Sequence, residues 1–419
     1  MNDRLDLVVA NARLVGDPAE LEIGVRDGRI VAVGPKVAGG AAAVLDAGGR
    51  LVLPAFVDAF VRLDKVETAG GQAVGTWDEA READRQHKRG RPISAIVGAA
   101  EGWLRRAVAA GTGTARAAVD VDRIAGLEPL RALLEVKKAW AHAIDVQVVA
   151  VPSEGLQDSR ARDLLGEAMR LGADVVGGCP HRDPAPDEHL QQVLALARRL
   201  ARPVDLELDP VLPAGTIAPQ ATMLARLLDA LEAGGGIGQP ITARHLCALG
   251  AVEAEGAGGL IERIARAELA VSVVPGQDLH FGGRADEKAA RRGLAPVRAL
   301  RKAGVPLGCG SGGEDDLYAP LGTADVARSA WLLAYAGYMG APSDIPGLFA
   351  IATGGGARAL GLADRGGIAP GMLADLVVLD EADPVEAFLG HAPARWVLHR
   401  GRIVATTDVV REAHLPRAA

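Results

Sequence analysis

Eight short apolar stretches alternate with amphipathic helices, and hairpin signals bracket them at both ends of the 419 residues. That pattern predicts an α/β protein: a (β/α)8 TIM barrel with a small β-sandwich domain formed by both termini. A long strand–helix alternation implies parallel strands, because a parallel neighbour needs a crossover long enough to hold a helix. Eight repeats suit a closed barrel, and a doubly wound open sheet is the structural alternative. The predicted division is a composite sandwich from residues 1–55 plus 369–419 around a barrel of residues 56–368.

At the N-terminus, Leu7-Val8-Val9-Ala10 and Leu21-Glu22-Ile23-Gly24-Val25 read as strands. Asp27-Gly28 then separates that second run from Ile30-Val31-Ala32-Val33. Asp-Gly between β-branched runs signals a hairpin, since a type I′ turn needs positive φ at both central residues. The C-terminus mirrors this, with a strand over 374–379 and a hairpin of Trp396–His399 and Arg402–Ala405 about Arg400-Gly401. The barrel strands are expected at 51–60, 114–121, 144–152, 174–180, 204–210, 241–249, 269–275 and 305–310. Helices are expected at 95–109, 125–140, 158–171, 187–201, 219–233, 257–267, 292–303 and 322–338.

Composition narrows the function class. Hydrophobic residues make up 49% and charged residues 24%, which suits a globular chain with a large core. A net charge of −7 argues against nucleic acid as a partner, which needs clustered Lys and Arg. The one basic run, Arg85-Gln86-His87-Lys88-Arg89-Gly90-Arg91, reads as a solvated helix end or loop. Cys179, Cys247 and Cys309 are far apart and form no CxxC, so no disulfide framework or structural zinc site is expected. The acidic N-terminus carries no signal-peptide core, and no long uncharged apolar run suggests a membrane span. A cytoplasmic protein is the expectation.

Functional side chains of such a barrel gather at the C-terminal strand ends. The first strand reads Leu53-Pro54-Ala55-Phe56-Val57-Asp58-Ala59-Phe60-Val61-Arg62-Leu63-Asp64. It resembles the Pro-Gly-Phe-Val-Asp-x-His-x-His-Leu-Asp strand of the metal-dependent amidohydrolases. Ala118-Val119-Asp120-Val121, Ile144 to Gly155, Leu171 to His181, Leu279 to Arg284 and Pro320 to Ala324 extend the resemblance nearly end to end, to cytosine deaminase and its relatives. That family uses a divalent metal to activate water, while a glutamate shuttles protons.

The resemblance implies that the chemistry has been replaced. The paired strand-one histidines stand as Phe60 and Arg62. The strand-five His-Cys-Asp-Glu reads Glu207-Leu208-Asp209-Pro210, so a ligand becomes Glu207 and the proton shuttle becomes Pro210. The strand-eight His-Asp reads Ser311-Gly312, and the glutamine after strand three is Ser153. The strand-six histidine persists as His245. A catalytic metal needs several N or O donors at about 2.0–2.2 Å. Phenylalanine and glycine side chains donate nothing, arginine brings a fixed positive charge, and proline has no side-chain proton to move. The family ligand positions are therefore Phe60, Arg62, Glu207 and Gly312, and no metal is expected there. Arg62 is expected to stand in as the local cation, paired with Glu207, with Asp209 as a further candidate partner, because buried charge left unpaired is costly.

Other constellations carry less. Gly308 to Gly313 matches G-x-G-x-x-G, but it follows the last barrel strand and precedes three acids, so a remodelled loop is expected rather than a dinucleotide site. Thr353-Gly354-Gly355-Gly356-Ala357-Arg358 either frees a helix N-terminus for an anion or packs on the barrel. Ser311 or Ser153 beside His245 could form a nucleophile pair, though no nucleophile elbow surrounds either. His280 is expected to be structural. Phe60, Trp77, Phe281 and Tyr318 are either core or an apolar floor for a flat ring. Pocket candidates are Phe60, Arg62, Asp64, Asp120, Ser153, His245, Phe281, Ser311 and Tyr318, with His245, Glu207 and Asp209 as catalytic candidates. Two functions stay open. One is a degenerate amidohydrolase without metal-dependent deamination, acting as a binding or assembly protein with an unknown protein partner. The other is an active hydrolase of non-peptide C–N bonds in cyclic amidines or amides, using a rearranged site with Fe or Zn. A homo-oligomer is implied by the resemblance, and a small ring ligand suits either reading.

Overall fold

The N-terminal segment, in a computed structural model that describes residues 4–72, 74–410 and 412, folds as a four-stranded sheet. Its strands are β1 (Leu5–Leu14), β2 (Asp17–Arg26), β3 (Arg29–Gly34) and β4 (Ala41–Asp46), in the order β3-β2-β1-β4. The β2–β3 turn has φ of 51° at Asp27 and 75° at Gly28, the paired positive angles that the Asp-Gly signal requires. The second sheet joins β5 (Val52–Pro54) to three C-terminal strands, 376–379, 394–399 and 402–406. Val9, Ile23, Val25 and Ile30 of one sheet pack with Val52, Leu376, Val378 and Leu398 of the other. The sandwich is thus built from both chain ends.

The barrel strands are β6 (Phe56–Arg62), β7 (Thr112–Asp120), β8 (Asp145–Val151), β9 (Val175–Gly178), β10 (Val204–Leu208), β11 (Ile241–His245), β12 (Ala270–Val273) and β13 (Leu307–Cys309). They run parallel in consecutive order, which confirms the predicted barrel. Closure comes just past β13, where Val61 bridges Gly312, the Arg62 amide donates to the Gly312 carbonyl at 3.1 Å, and the Gly312 amide donates to Phe60 at 2.9 Å. The predicted first strand is divided: Val52–Pro54 belongs to the sandwich sheet, and β6 starts at Phe56. No helix among the described residues is long and apolar enough to cross a membrane.

One helix of the mouth lay outside the sequence expectation. Trp77–Gly90 follows β6, capped by Thr76, whose hydroxyl accepts from the Glu79 amide while Glu79 accepts from the Thr76 amide. This Thr-x-x-Glu capping box was present in the sequence. The helix corrects the reading of the basic run as wholly solvated. Lys88 is buried in ion pairs, and the Arg91 guanidinium donates to the carbonyls of Asp64 at 2.8 Å and Val66 at 2.6 Å.

Candidate functional site at the barrel mouth

β6 ends with Phe60 and Arg62 at the mouth, and β10 brings Glu207 to meet them. Arg62 Nη2 lies 2.5 Å from Glu207 Oε2, and Nη1 donates to Gln277 Oε1 at 2.6 Å. The expected Arg62–Glu207 pair is therefore formed, with both side chains at most 4% exposed. The guanidinium carbon sits 4.4 Å from the Tyr318 ring centroid, 5.0 Å from Phe60 and 5.5 Å from Trp77, an aromatic box that favours a desolvated cation.

Glu207 serves more than Arg62. Its Oε1 lies 3.0 Å from Arg182 Nη2 and 3.3 Å from His181 Nε2, and Arg244 Nη1 lies 3.5 Å from Oε2. Burial opposes the charge, but Arg182 and Arg62 overcome it and hold the Glu207 carboxyl well below its usual range. One layer deeper, Asp205 joins Arg244 to Arg116, the latter at 3.0 Å. Arg182, His181, Gln277 and Arg116 were not among the predicted site residues. Alternation along the strand could have indicated Asp205 as an inward partner of Glu207, two positions before it.

The position of the family aspartate is closed sterically. A Cβ on Gly312, where φ is +83°, would fall 2.7 Å from Val274 Cγ1 and 2.9 Å from Gln277 Cδ. Gln277 thus fills the space that a side chain at 312 would need. The donors here do not fit the family metal: Phe60 and Gly312 offer no ligand atom, the Arg62 guanidinium lies on Glu207, and His245 stands alone of the family set.

His245 Nδ1 meets Asp278 Oδ1 at 2.6 Å, while its Nε2 has no hydrogen-bond partner and lies 4.0 Å from Glu207 Oε2. Neither predicted serine pairs with it. The Ser311 amide donates to Asp58 at 3.0 Å, and Ser153 sits in a separate ion network, its hydroxyl donating to Asp122 at 2.8 Å. Asp209 does not join Arg62, contrary to the looser expectation. Its backbone turns off the strand at φ +48°, and its carboxylate caps the Met223–Gly234 helix, accepting from the amides of Met223 at 2.9 Å and Leu224 at 3.1 Å. Burial pushes that carboxyl up to about 6.

Asp64 and Asp120 belong to the same network as Ser153. Lys65 Nζ lies 2.6 Å from Asp120 and 3.0 Å from Asp84, and Lys88 Nζ lies 2.5 Å from Asp120 and 2.9 Å from Asp122. The Asp64 carboxylate accepts from the Asp120 amide at 2.9 Å, and burial, partly offset by Lys65, raises it to about 6. Lys65, Lys88, Asp84 and Asp122 were missed, because a buried lysine pair cannot be told from a surface run by composition.

Trp77 packs 5.1 Å from both Phe281 and Tyr318 and 5.7 Å from His245, and all four aromatic candidates are buried. They fill the mouth against one another, as the core reading expects. His280 contacts the Val74 carbonyl at 3.2 Å, a structural role. The thiols of Cys179, Cys247 and Cys309 are buried and pushed up by burial, to about 12 for Cys179. In the G-x-G-x-x-G loop, Asp316 folds back to accept from the Tyr318 and Ala319 amides, each at 2.7 Å. Gly356 packs on Val57, so the three-glycine stretch follows its packing reading. Elsewhere, Asp145, Asp375 and His399 place ligand atoms within 4.8 Å of one another, but Arg365 at 2.7 Å and Arg400 at 3.0 Å already hold Asp145.

Comparison with known proteins gives the lineage of this parallel barrel. The amidohydrolase family profile matches residues 81–405, and the chain belongs to that family. It is 28% identical to N-isopropylammelide isopropyl amidohydrolase of Pseudomonas sp. (strain ADP), over 98% of this chain and 100% of that protein. It is 27% identical to pterin deaminase of Rhizobium rhizogenes, over 84% of this chain and 80% of the relative. The crystal structure of 5-methylcytosine deaminase from Klebsiella pneumoniae superposes with a TM-score of 0.89 at 28% identity, covering 97% of this chain and 100% of that one. These likenesses support the cytosine deaminase-like assignment.

Proposed function

We propose that this amidohydrolase-family protein works without the family's metal-dependent deamination, as a binding or assembly protein on a retained barrel. The observation that carries the reading is the Arg62–Glu207 pair at 2.5 Å, with Gln277 occupying the space beside Gly312. A fixed guanidinium supplies positive charge without an open coordination position, so it cannot lower the pKa of a bound water as a catalytic metal does. None of the five cavities described on the molecule, about 140 to 660 Å3, is lined by Phe60, Arg62, Glu207, His245 or Gly312.

The test is turnover of 5-methylcytosine, N-isopropylammelide and pterin, with Fe, Zn or Mn supplied. No turnover above the uncatalysed rate is expected; metal-stimulated turnover that Glu207→Gln abolishes would overturn the proposal. A second reading, hydrolysis of a C–N bond in a cyclic amidine or amide by a rearranged site, is favoured by one observation. His245, oriented by Asp278, keeps Nε2 free of partners, the arrangement of a poised general base. It predicts an activity on such rings, with Fe or Zn supplied, that His245→Asn removes.

A further inference from the structure

The largest cavity described, about 660 Å3, lies at the opposite end of the barrel from Glu207. Its lining includes Ile241 and Ala270, the first residues of β11 and β12, and Pro306, just before β13. Its size falls within the roughly 300–1,000 Å3 of small-molecule pockets. The wall is apolar at Leu231, Ile237, Pro240 and Ile241. Two arginines border that wall, Arg266 at the end of the Ala254–Arg266 helix and Arg358 just past the three glycines. Among the described residues neither guanidinium makes a hydrogen bond or ion pair.

The cations and anions of the lining do not cancel. Arg263 is held by Glu232 at 2.8 Å and by Asp229 at 2.6 Å, which takes Glu232 out of play. Glu268 is the remaining lining carboxylate, against the two free guanidiniums. The amides of Ile237, Gly238 and Gln239 also donate to no protein acceptor among the described residues. The loop bearing them is pinned by Arg198, which donates to the carbonyls of Gly236 at 2.7 Å and Gly234 at 3.2 Å. Guanidinium forks and unspent backbone amides recognise oxyanions, and the apolar wall suits a ring or chain attached to one.

We propose that this cavity at the N-terminal end of the barrel strands binds an amphipathic organic anion, a phosphate ester or a carboxylate, between Arg266, Arg358 and the 237–239 amides. The ligand would act away from the mouth, so the inference stands apart from the state of Arg62 and Glu207. The experiment is isothermal titration of the full chain, at fixed ionic strength, with AMP, benzoate and inorganic phosphate as probes. The comparison proteins are Arg266→Gln/Arg358→Gln and, as a control for loss of an exposed arginine, Arg402→Gln, all checked for native melting. Saturable binding of one AMP or one benzoate per chain is expected, unchanged in the control and weakened about tenfold or more in the double variant, the equivalent of ~1.4 kcal/mol. AMP alone would assign a phosphate ester, and benzoate alone a carboxylate. Three results would overturn the proposal: no saturable binding of either, equal affinity in the double variant, or inorganic phosphate binding as tightly as the organic probes.

Discussion

Glu207 is the one carboxylate on which Arg62, Arg182 and Arg244 all converge, so its loss strands more charge than the loss of any single arginine. Removing one partner of a buried pair typically costs about 3–5 kcal/mol. Glu207→Gln is expected to reach that range in chemical denaturation, whereas Arg62→Ala should cost less, because Arg182 and His181 still face the carboxylate. Equal losses would contradict the assignment of Glu207 as the hub. Asp58 gives a pH signature. Burial raises its carboxyl from 3.8 to about 7, against the pull of the Ser311 and Phe60 amides. The folded state therefore holds this proton more tightly than the unfolded state. The contribution to stability is complete below 3.8 and is lost as pH rises through about 7. Asp58→Asn keeps an acceptor for both amides and removes the titration. Its melting temperature should exceed that of the parent at pH 8, with the gap closing toward pH 4. A constant gap across that range would show that Asp58 does not titrate as described.

The Trp77–Gly90 helix roofs the mouth with its buried face, Trp77, Ala80, Ala83 and Asp84, and anchors through Lys88 to Asp120 and Asp122. Arg85 adds an ion pair to Glu154. Replacing Lys88 with Ala leaves Asp122 with no lysine and Asp120 with Lys65 alone. Trypsin should then cut faster at Arg85 or Arg89, and hydrogen exchange over 77–90 should quicken, while the distant sandwich is unaffected. Unchanged protection of the helix would show that apolar packing alone holds it. The hairpins were legible in the sequence because Asp27-Gly28 and Arg400-Gly401 encode their turn locally. The barrel strands were legible because each is a short apolar run between helices. Lys65 and Lys88 were not, since their burial depends on four aspartates that the fold gathers from positions 64 to 122. Arg62 with Glu207 could be foreseen because both fall on strand ends that the barrel topology brings together. Asp209 misled because it lies only two residues beyond Glu207, yet a positive φ turns it away to cap a helix.

The molecule keeps the barrel, the composite sandwich and the strand order of its family while its mouth is packed with ion pairs and aromatic rings. One barrel fold can carry different chemistry at its mouth, since fold and function are separable. The homo-oligomer remains a proposal, and light scattering of the purified chain decides it: a mass above one 43.1 kDa protomer is expected. On the proposed reading, an arginine–carboxylate pair has taken the place of the catalytic metal. Elemental analysis of protein produced with Fe, Zn and Mn supplied tests it most directly. Far less than one equivalent of any of these metals per chain is expected, with no change on Arg62→Ala alone. One stoichiometric equivalent, lost on Glu207→Gln or His245→Asn, would contradict it.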